Sequence, residues 1–161
     1  MIEDVGLEDA ERVCRIYNHY VERTTITFEE EPVSVEQMRT RMAEIGSCGL
    51  PWIVWREGPD VLGYAYAGRW KSRSAYRRSV ESSVYVGKDH VGRGIGSSLY
   101  EELLSRLRQA SVHVVVGGVA LPNEASVRLH EQFGFRKVAH FQQIGFKLGR
   151  WIDVGYWQLL L

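Results

Sequence analysis

With 161 residues, 45% of them hydrophobic and 25% charged, the chain has the size and make-up of one globular domain and falls outside the disordered class. Twenty basic residues balance twenty acidic ones, which speaks against a dedicated nucleic-acid binder, whose affinity rests on neutralising phosphates. No apolar run approaches the roughly 20 residues of a membrane span, the first residues are acidic rather than basic and apolar, and two cysteines, Cys14 and Cys48, make no disulfide framework, so a soluble, cytoplasmic, single domain over 1–161 is expected, with no membrane or nucleic-acid partner.

Residues 2–5 read as a short strand. Ala10, Val13, Cys14, Tyr17, Tyr20 and Val21 recur at steps of three and four, which predicts a helix with one apolar face. Residues 24–28 are rich in β-branched side chains and read as extended chain. After Pro32, Val35, Met38, Met42 and Ile45 mark a second helix, stopped by Gly46 and Gly49. Residues 52–55 and 61–67 read as the strands of an antiparallel hairpin around the turn Glu57-Gly58-Pro59-Asp60. Residues 68–78, GRWKSRSAYRR, form a polar loop that carries aromatics. The next strand, 80–86, puts Glu81, Ser83 and Tyr85 on one face and Ser82, Val84 and Val86 on the other. A glycine-rich connection then leads into a helix with Leu99, Leu103, Leu104 and Leu107 on its apolar side. Residues 112–119, nearly continuous in β-branched side chains, read as a central strand buried on both faces. Pro122-Asn123 opens a short helix ending near Gly134, and two strands close the chain, 135–146 with a break and 154–160. This order predicts an α/β (α+β) domain, a mixed sheet covered by helices.

The run Val86-Gly87-Lys88-Asp89-His90-Val91-Gly92-Arg93-Gly94-Ile95-Gly96-Ser97 lies between a strand and a helix. Glycines let the backbone approach an anion and take positive φ, and a helix start adds unpaired N–H groups and the positive end of its dipole. Lys88 and Arg93 bring charge. By itself the loop suits either a pyrophosphate cradle or a tight connection that binds nothing. A Walker loop needs Gly-Lys-Ser/Thr, which is absent. A dinucleotide site wants a carboxylate at the end of the following strand, where Val116-Gly117-Gly118-Val119-Ala120 has none. A pyrophosphate carrier recognised mostly through backbone, such as coenzyme A, remains.

SVYV, the loop ending GRGIGSSLY, and LPNEASVRLHEQFGF together resemble the GNAT superfamily of N-acetyltransferases. IYNHYVERTTITF, GYAYAGRWKSRSAYRRSVESSVYV and GFKLGRWIDVGYWQL narrow the resemblance to the phosphinothricin N-acetyltransferase-like subfamily, over most of the chain and in the expected order. One departure stands out: the superfamily loop usually begins with Gln or Arg, and Val91 occupies that place. The resemblance implies the GNAT fold, with a mixed, mostly antiparallel central sheet and helices on both faces. It implies acetyl transfer from acetyl-CoA, without a metal, to the amine of a small amino-acid analogue such as phosphinothricin or methionine sulfone or sulfoximine, by direct attack. The carrier would lie along Val84, Tyr85 and Val86 and on Val91, Gly92, Arg93, Gly94, Ile95, Gly96 and Ser97, with Asn123 at the pantetheine arm and a free N–H near Val86 at the thioester carbonyl.

The same resemblance puts Glu81 at the reacting ammonium and His130 at the sulfur, in the place of a tyrosine found in many members. Asn123 and His130, seven residues apart, share a helix face. Read from the residues alone, Glu81 also suits an exposed partner of Arg77 or Arg78, and His130 a helix-surface histidine. Tyr100 is a weaker candidate for the sulfur region, its ordinary role being core packing. Lys71 and Arg73 would hold the substrate's anionic group between walls formed by Phe28 and Tyr76. The segment 146–153 is expected to support the pocket or the interface of a homodimer. Two alternatives to small-molecule acetylation are acetylation of protein N-termini or lysines on the same fold, and a non-catalytic acyl-CoA sensor.

Overall fold

A computed structural model describes residues 1–161. Seven strands make one sheet: β1 (Ile2–Asp4), β2 (Trp52–Glu57), β3 (Asp60–Arg69), β4 (Ser79–Val86), β5 (Val114–Leu121), β6 (Arg136–Lys147) and β7 (Arg150–Leu160), in the order β1-β2-β3-β4-β5-β7-β6. Every neighbouring pair is antiparallel except β4 and β5. Helices α1 (Ala10–Arg23) and α2 (Val35–Ser47) cover one face, and α3 (Ile95–Gln109) and α4 (Glu124–Gln132) cover the other. The element order thus forms the expected mixed sheet, and the mostly antiparallel pairing with helices on both faces is the form that the GNAT resemblance implies. No helix is long and apolar enough to cross a membrane.

Local chemistry explains most of these elements. Ser34 caps α2: its Oγ accepts from Gln37 N–H at 3.1 Å while Gln37 Oε1 accepts from Ser34 N–H at 2.8 Å. Such reciprocal caps stabilise a helix start by about 0.5–2 kcal/mol. The leucines of α3 bury against β2, β3 and β5 in one core, and α1 and α2 bury Val13, Val21, Met38 and Met42 against Val54 and Tyr64 in another.

The structure corrects some boundaries. Strand β5 starts at Val114, not Val112, because Val112 N–H closes the end of α3 on Leu107 carbonyl at 3.1 Å and its side chain joins the α3 core. Nor is β5 buried on both faces along its length, for Gly118 is exposed. Strand β7 starts at Arg150 because β6 runs on to Lys147 and pairs with it there. The expected break in β6 appears as two register shifts, one between Lys137 and Ala139 and one between Phe141 and Gly145.

One feature of the sheet positions the site. Strands β4 and β5 are in register only from Ser79–Val114 to Glu81–Val116. Beyond that point β4 stays paired with β3 as far as Val86, and β5 stays paired with β7 as far as Leu121. The two strands therefore part inside the sheet. Trp70 N–H donates to Ser79 carbonyl at 3.2 Å and Gly87 N–H to Leu62 carbonyl at 2.7 Å, so the odd-numbered residues of β4 turn their peptide groups toward β3. Strict alternation leaves the N–H groups of Val84 and Val86 facing the gap, with no strand to receive them.

Candidate active site

On the α3 side of the gap, the loop between β4 and α3 makes a cradle of amides. Gly92 and Gly94 both have φ of +79°, a left-handed conformation that side chains resist. Gly94 is the N-cap of α3, and the N–H groups from Gly92 to Ser97 find no acceptor within the chain. A groove of about 340 Å³ runs from this loop between Val86 and the α4 residues Ala125, Arg128 and Leu129. Unpaired amides at a helix start suit an anion, and the groove beside them suits an extended arm. The charged side chains of the loop are engaged elsewhere: Arg93 pairs with Glu57 at 2.8 Å and Lys88 with Asp89 at 2.9 Å. Val91 is exposed, so the cradle is a backbone construction.

The gap itself holds a narrow cavity of about 60 Å³ lined by Ile26, Val84, Tyr100, Gly118, Asn123 and His130, among others. Asn123 caps α4, its Oδ1 accepting from Ser126 N–H at 3.1 Å. His130, only 4% exposed, points Nδ1 at the carbonyl of Ser126, 2.7 Å away. A carbonyl only accepts, so the proton sits on Nδ1 and Nε2 keeps its lone pair. Tyr100 and Phe135 meet the ring edge-on at 5.3 and 5.2 Å, and this burial pushes the imidazole pKa down and keeps the ring neutral. Its Nε2 lies over Gly117, where any Cβ would stand 2.1 Å from it. Tyr100 donates to or accepts from Ser82 Oγ at 2.7 Å and serves both as core and as cavity wall.

Glu81 lies on the opposite face, at the residue where the parallel pairing ends. Its side chain forms no ion pair with Arg77 or Arg78. Burial raises the carboxyl pKa above the ordinary glutamate value, and the nearby charge of Lys71 partly offsets this. A Cβ on Gly118 would stand 3.2 Å from Glu81 Oε1 and 3.1 Å from the Tyr156 ring, so carboxylate and ring converge over that glycine. Trp70 meets Tyr156 edge-on at 5.7 Å, and Lys71 Nζ rests 4.8 Å from the Trp70 ring centre. Lys71, Trp70, Tyr156 and Glu81 thus form one continuous wall.

The other sequence-predicted acceptor residues are less closely gathered. Phe28, 40% exposed, packs over Gly145 of β6, where a Cβ would stand 2.3 Å from its ring. Arg73 and Tyr76 are exposed and make no ion pair or ring contact in the single chain. Along the hairpin of β6 and β7, Ile144, Phe146, Leu148 and Trp151 are also exposed, Trp151 to 62%, with Phe146 and Trp151 in ring contact at 5.0 Å.

A family model described as the acetyltransferase (GNAT) domain matches residues 2–155. The chain belongs to the GNAT acetyltransferases. It is 41% identical over 154 residues to a phosphinothricin N-acetyltransferase of Streptomyces coelicolor, covering 94% of this chain and 90% of that one. To an L-methionine sulfoximine/L-methionine sulfone acetyltransferase of Salmonella typhimurium it is 37% identical over 153 residues, covering 95% and 90%. The crystal structure of a GNAT phosphinothricin acetyltransferase from Sinorhizobium meliloti in complex with acetyl-CoA superposes with a TM-score of 0.97 at 33% identity, covering all of this chain and 88% of that one. The resemblance read from the motifs is thus upheld for both family and subfamily.

Several residues of this candidate site were not singled out as site residues in the sequence reading. Gly117 and Gly118 leave room for His130 on one face and Glu81 on the other. A glycine pair in an otherwise β-branched central strand is the signal for such close approach. Tyr156, Ser126 and Ile26 carry no local signal, since only the tertiary fold brings them to the gap.

Proposed function

We propose that the protein transfers an acetyl group from acetyl-CoA to the α-amine of a small amino acid with an anionic or strongly polar side chain, of the phosphinothricin or methionine sulfone and sulfoximine kind. One observation carries this reading: an unpaired, partly buried carboxyl, Glu81, stands at one mouth of a gap in the sheet whose other mouth opens beside a cradle of free amides. The carrier supplies an activated acyl group when bound; all else falls to the chain's own groups.

The amides from Gly92 to Ser97 hold the diphosphate, Asn123 and the β4 edge hold the arm, and the N–H groups of Val84 and Val86 face the carbonyl oxygen. Glu81 accepts the ammonium proton, directly or through water, and leaves the amine free to attack. His130 offers Nε2 at the sulfur end. As an acid toward the departing thiolate it must first take up a proton, so its contribution is smaller than that of Glu81. Lys71 and Arg73 attract the substrate's anionic groups, and Phe28 and Tyr76 wall the pocket. A second copy of the chain, docked on the exposed apolar hairpin, closes the open acceptor side and makes the working unit a homodimer.

A second reading, acetylation of a peptide amine, draws on the openness of that same side in the single chain. Thiol release from acetyl-CoA, measured with phosphinothricin, methionine sulfone and an Ala- or Ser-initiated peptide side by side, separates the two. Free amino-acid analogues are expected to turn over faster. Preference for the peptide overturns the proposal, and binding of acetyl-CoA with no turnover of any amine points to a sensor.

A further inference from the structure

Lysine is almost never fully buried, yet Lys147 of β6 is 2% exposed. Its Nζ donates to the backbone carbonyl of Thr27 at 2.7 Å, across 120 positions of sequence. Burial lowers its pKa while the charges of Glu29 and Glu30 favour the ammonium. A methionine of similar length would fill the same slot without desolvating a charge, and buried charges are often replaced by apolar groups at no loss of stability. Packing alone therefore does not account for a lysine here.

Thr27 stands between Ile26, which lines the cavity in the sheet, and Phe28, which packs on Gly145. The other side-chain hydrogen bonds of this segment come mostly from α1 and α2, with Tyr85 of β4 also beside Thr27. Tyr17 Oη is 2.8 Å from Thr27 Oγ1 and also bonds Glu29, Arg41 pairs with Glu29 at 2.9 Å, and Asn18 donates to Val33 carbonyl at 2.9 Å. Lys147 makes the one hydrogen bond that ties the segment to the hairpin of β6 and β7.

We infer that Lys147 is a positioning residue for the amine: by holding the Thr27 carbonyl to β6, it fixes Ile26 at the gap and Phe28 at the pocket wall, without touching the acetyl carrier. This deepens the proposed activity and rests on it for its kinetic part. In the full-length chain, Lys147→Met is expected to raise KM for the amine roughly tenfold, while kcat and KM for acetyl-CoA stay within about twofold. Backbone amide exchange should quicken at residues 25–29 and stay unchanged in β3. Lys147→Arg, which keeps a cationic donor, should recover part of the amine affinity. In a Phe28→Ala background the Lys147→Met effect should shrink, since the two residues act through one segment.

An unchanged amine KM, or a parallel loss on both substrates, overturns the inference. Should Lys147→Met fail to fold, Gly145→Ala, whose Cβ displaces the Phe28 ring, must give the same selective rise in amine KM or the inference falls. Should the wild-type chain turn over no amine, the proposed activity fails instead, and exchange at residues 25–29 still decides whether Lys147 holds the segment.

Discussion

The two mouths of the gap are built in opposite ways. The proposed carrier mouth begins locally: one loop and the first turn of the helix that follows supply the anion cradle through backbone N–H groups, with β4 and α4 flanking the groove beside it. The acceptor mouth is assembled from four distant stretches, residues 26–28, Trp70 and Lys71, Glu81, and Tyr156 with β6, through side chains. Backbone donors at a helix start are the same whatever the side chains are, so on the proposed reading acetyl-CoA affinity is expected not to depend on Val91 in its unusual place. Side chains from four segments depend on how each segment is held, so the acceptor mouth is the part that substitution retunes.

The largest test of this contrast is Glu81→Gln. It is expected to lower kcat/KM about 10²- to 10³-fold, as loss of a general base does, while calorimetry shows acetyl-CoA binding unchanged. Equal loss of carrier binding would erase the division between the two mouths. Gly94→Ala should do the reverse. A residue forced to φ +79° costs about 1–2 kcal/mol, and acetyl-CoA affinity should drop while amine KM in carrier-saturated enzyme holds.

A smaller effect concerns pH. Glu81 has a raised pKa, so the folded chain holds that proton more tightly than the unfolded chain does. Its contribution to stability is full below the unfolded glutamate value of about 4.3 and is lost as pH rises through the higher folded value. On the proposed mechanism activity follows the opposite course, because a base works only when ionised. The rate should therefore climb with pH over the interval in which this stability contribution fades. Glu81→Gln should melt higher than the wild type above that interval and lose the advantage in acid. On the pH axis the smaller shift belongs to Lys71→Ala, beside the loss of amine affinity expected of a residue that attracts the substrate's anionic group. The Lys71 charge holds the Glu81 pKa down, so its removal should shift the acid limb of the rate profile to higher pH.

Much of this was legible in the chain. The alternation of Glu81, Ser83 and Tyr85 against Ser82, Val84 and Val86 is the observed division of faces: Tyr85 packs on Tyr17 and Tyr20, and Ser82 bonds Tyr100. The glycine loop was legible because positive φ and close anion approach demand glycine locally. Lys71 and Arg73 were both read as anion ligands, but only Lys71 lies close enough to influence Glu81, because it lies along Trp70 while Arg73 reaches into solvent. Lys147 passed as one cation in a C-terminal motif, since sequence does not show that a lysine is buried.

Periodicity and glycine spacing marked most of the elements and the faces of β4, because each depends on neighbours a few residues apart, and the family was read from a resemblance of motifs in order along the chain. The parting of β4 from β5, the tautomer of His130, the raised pKa of Glu81 and the reach of Lys147 to Thr27 were decided by the tertiary structure. Each of those depends on desolvation or on a partner dozens of residues away, and neither quantity exists until the chain has folded.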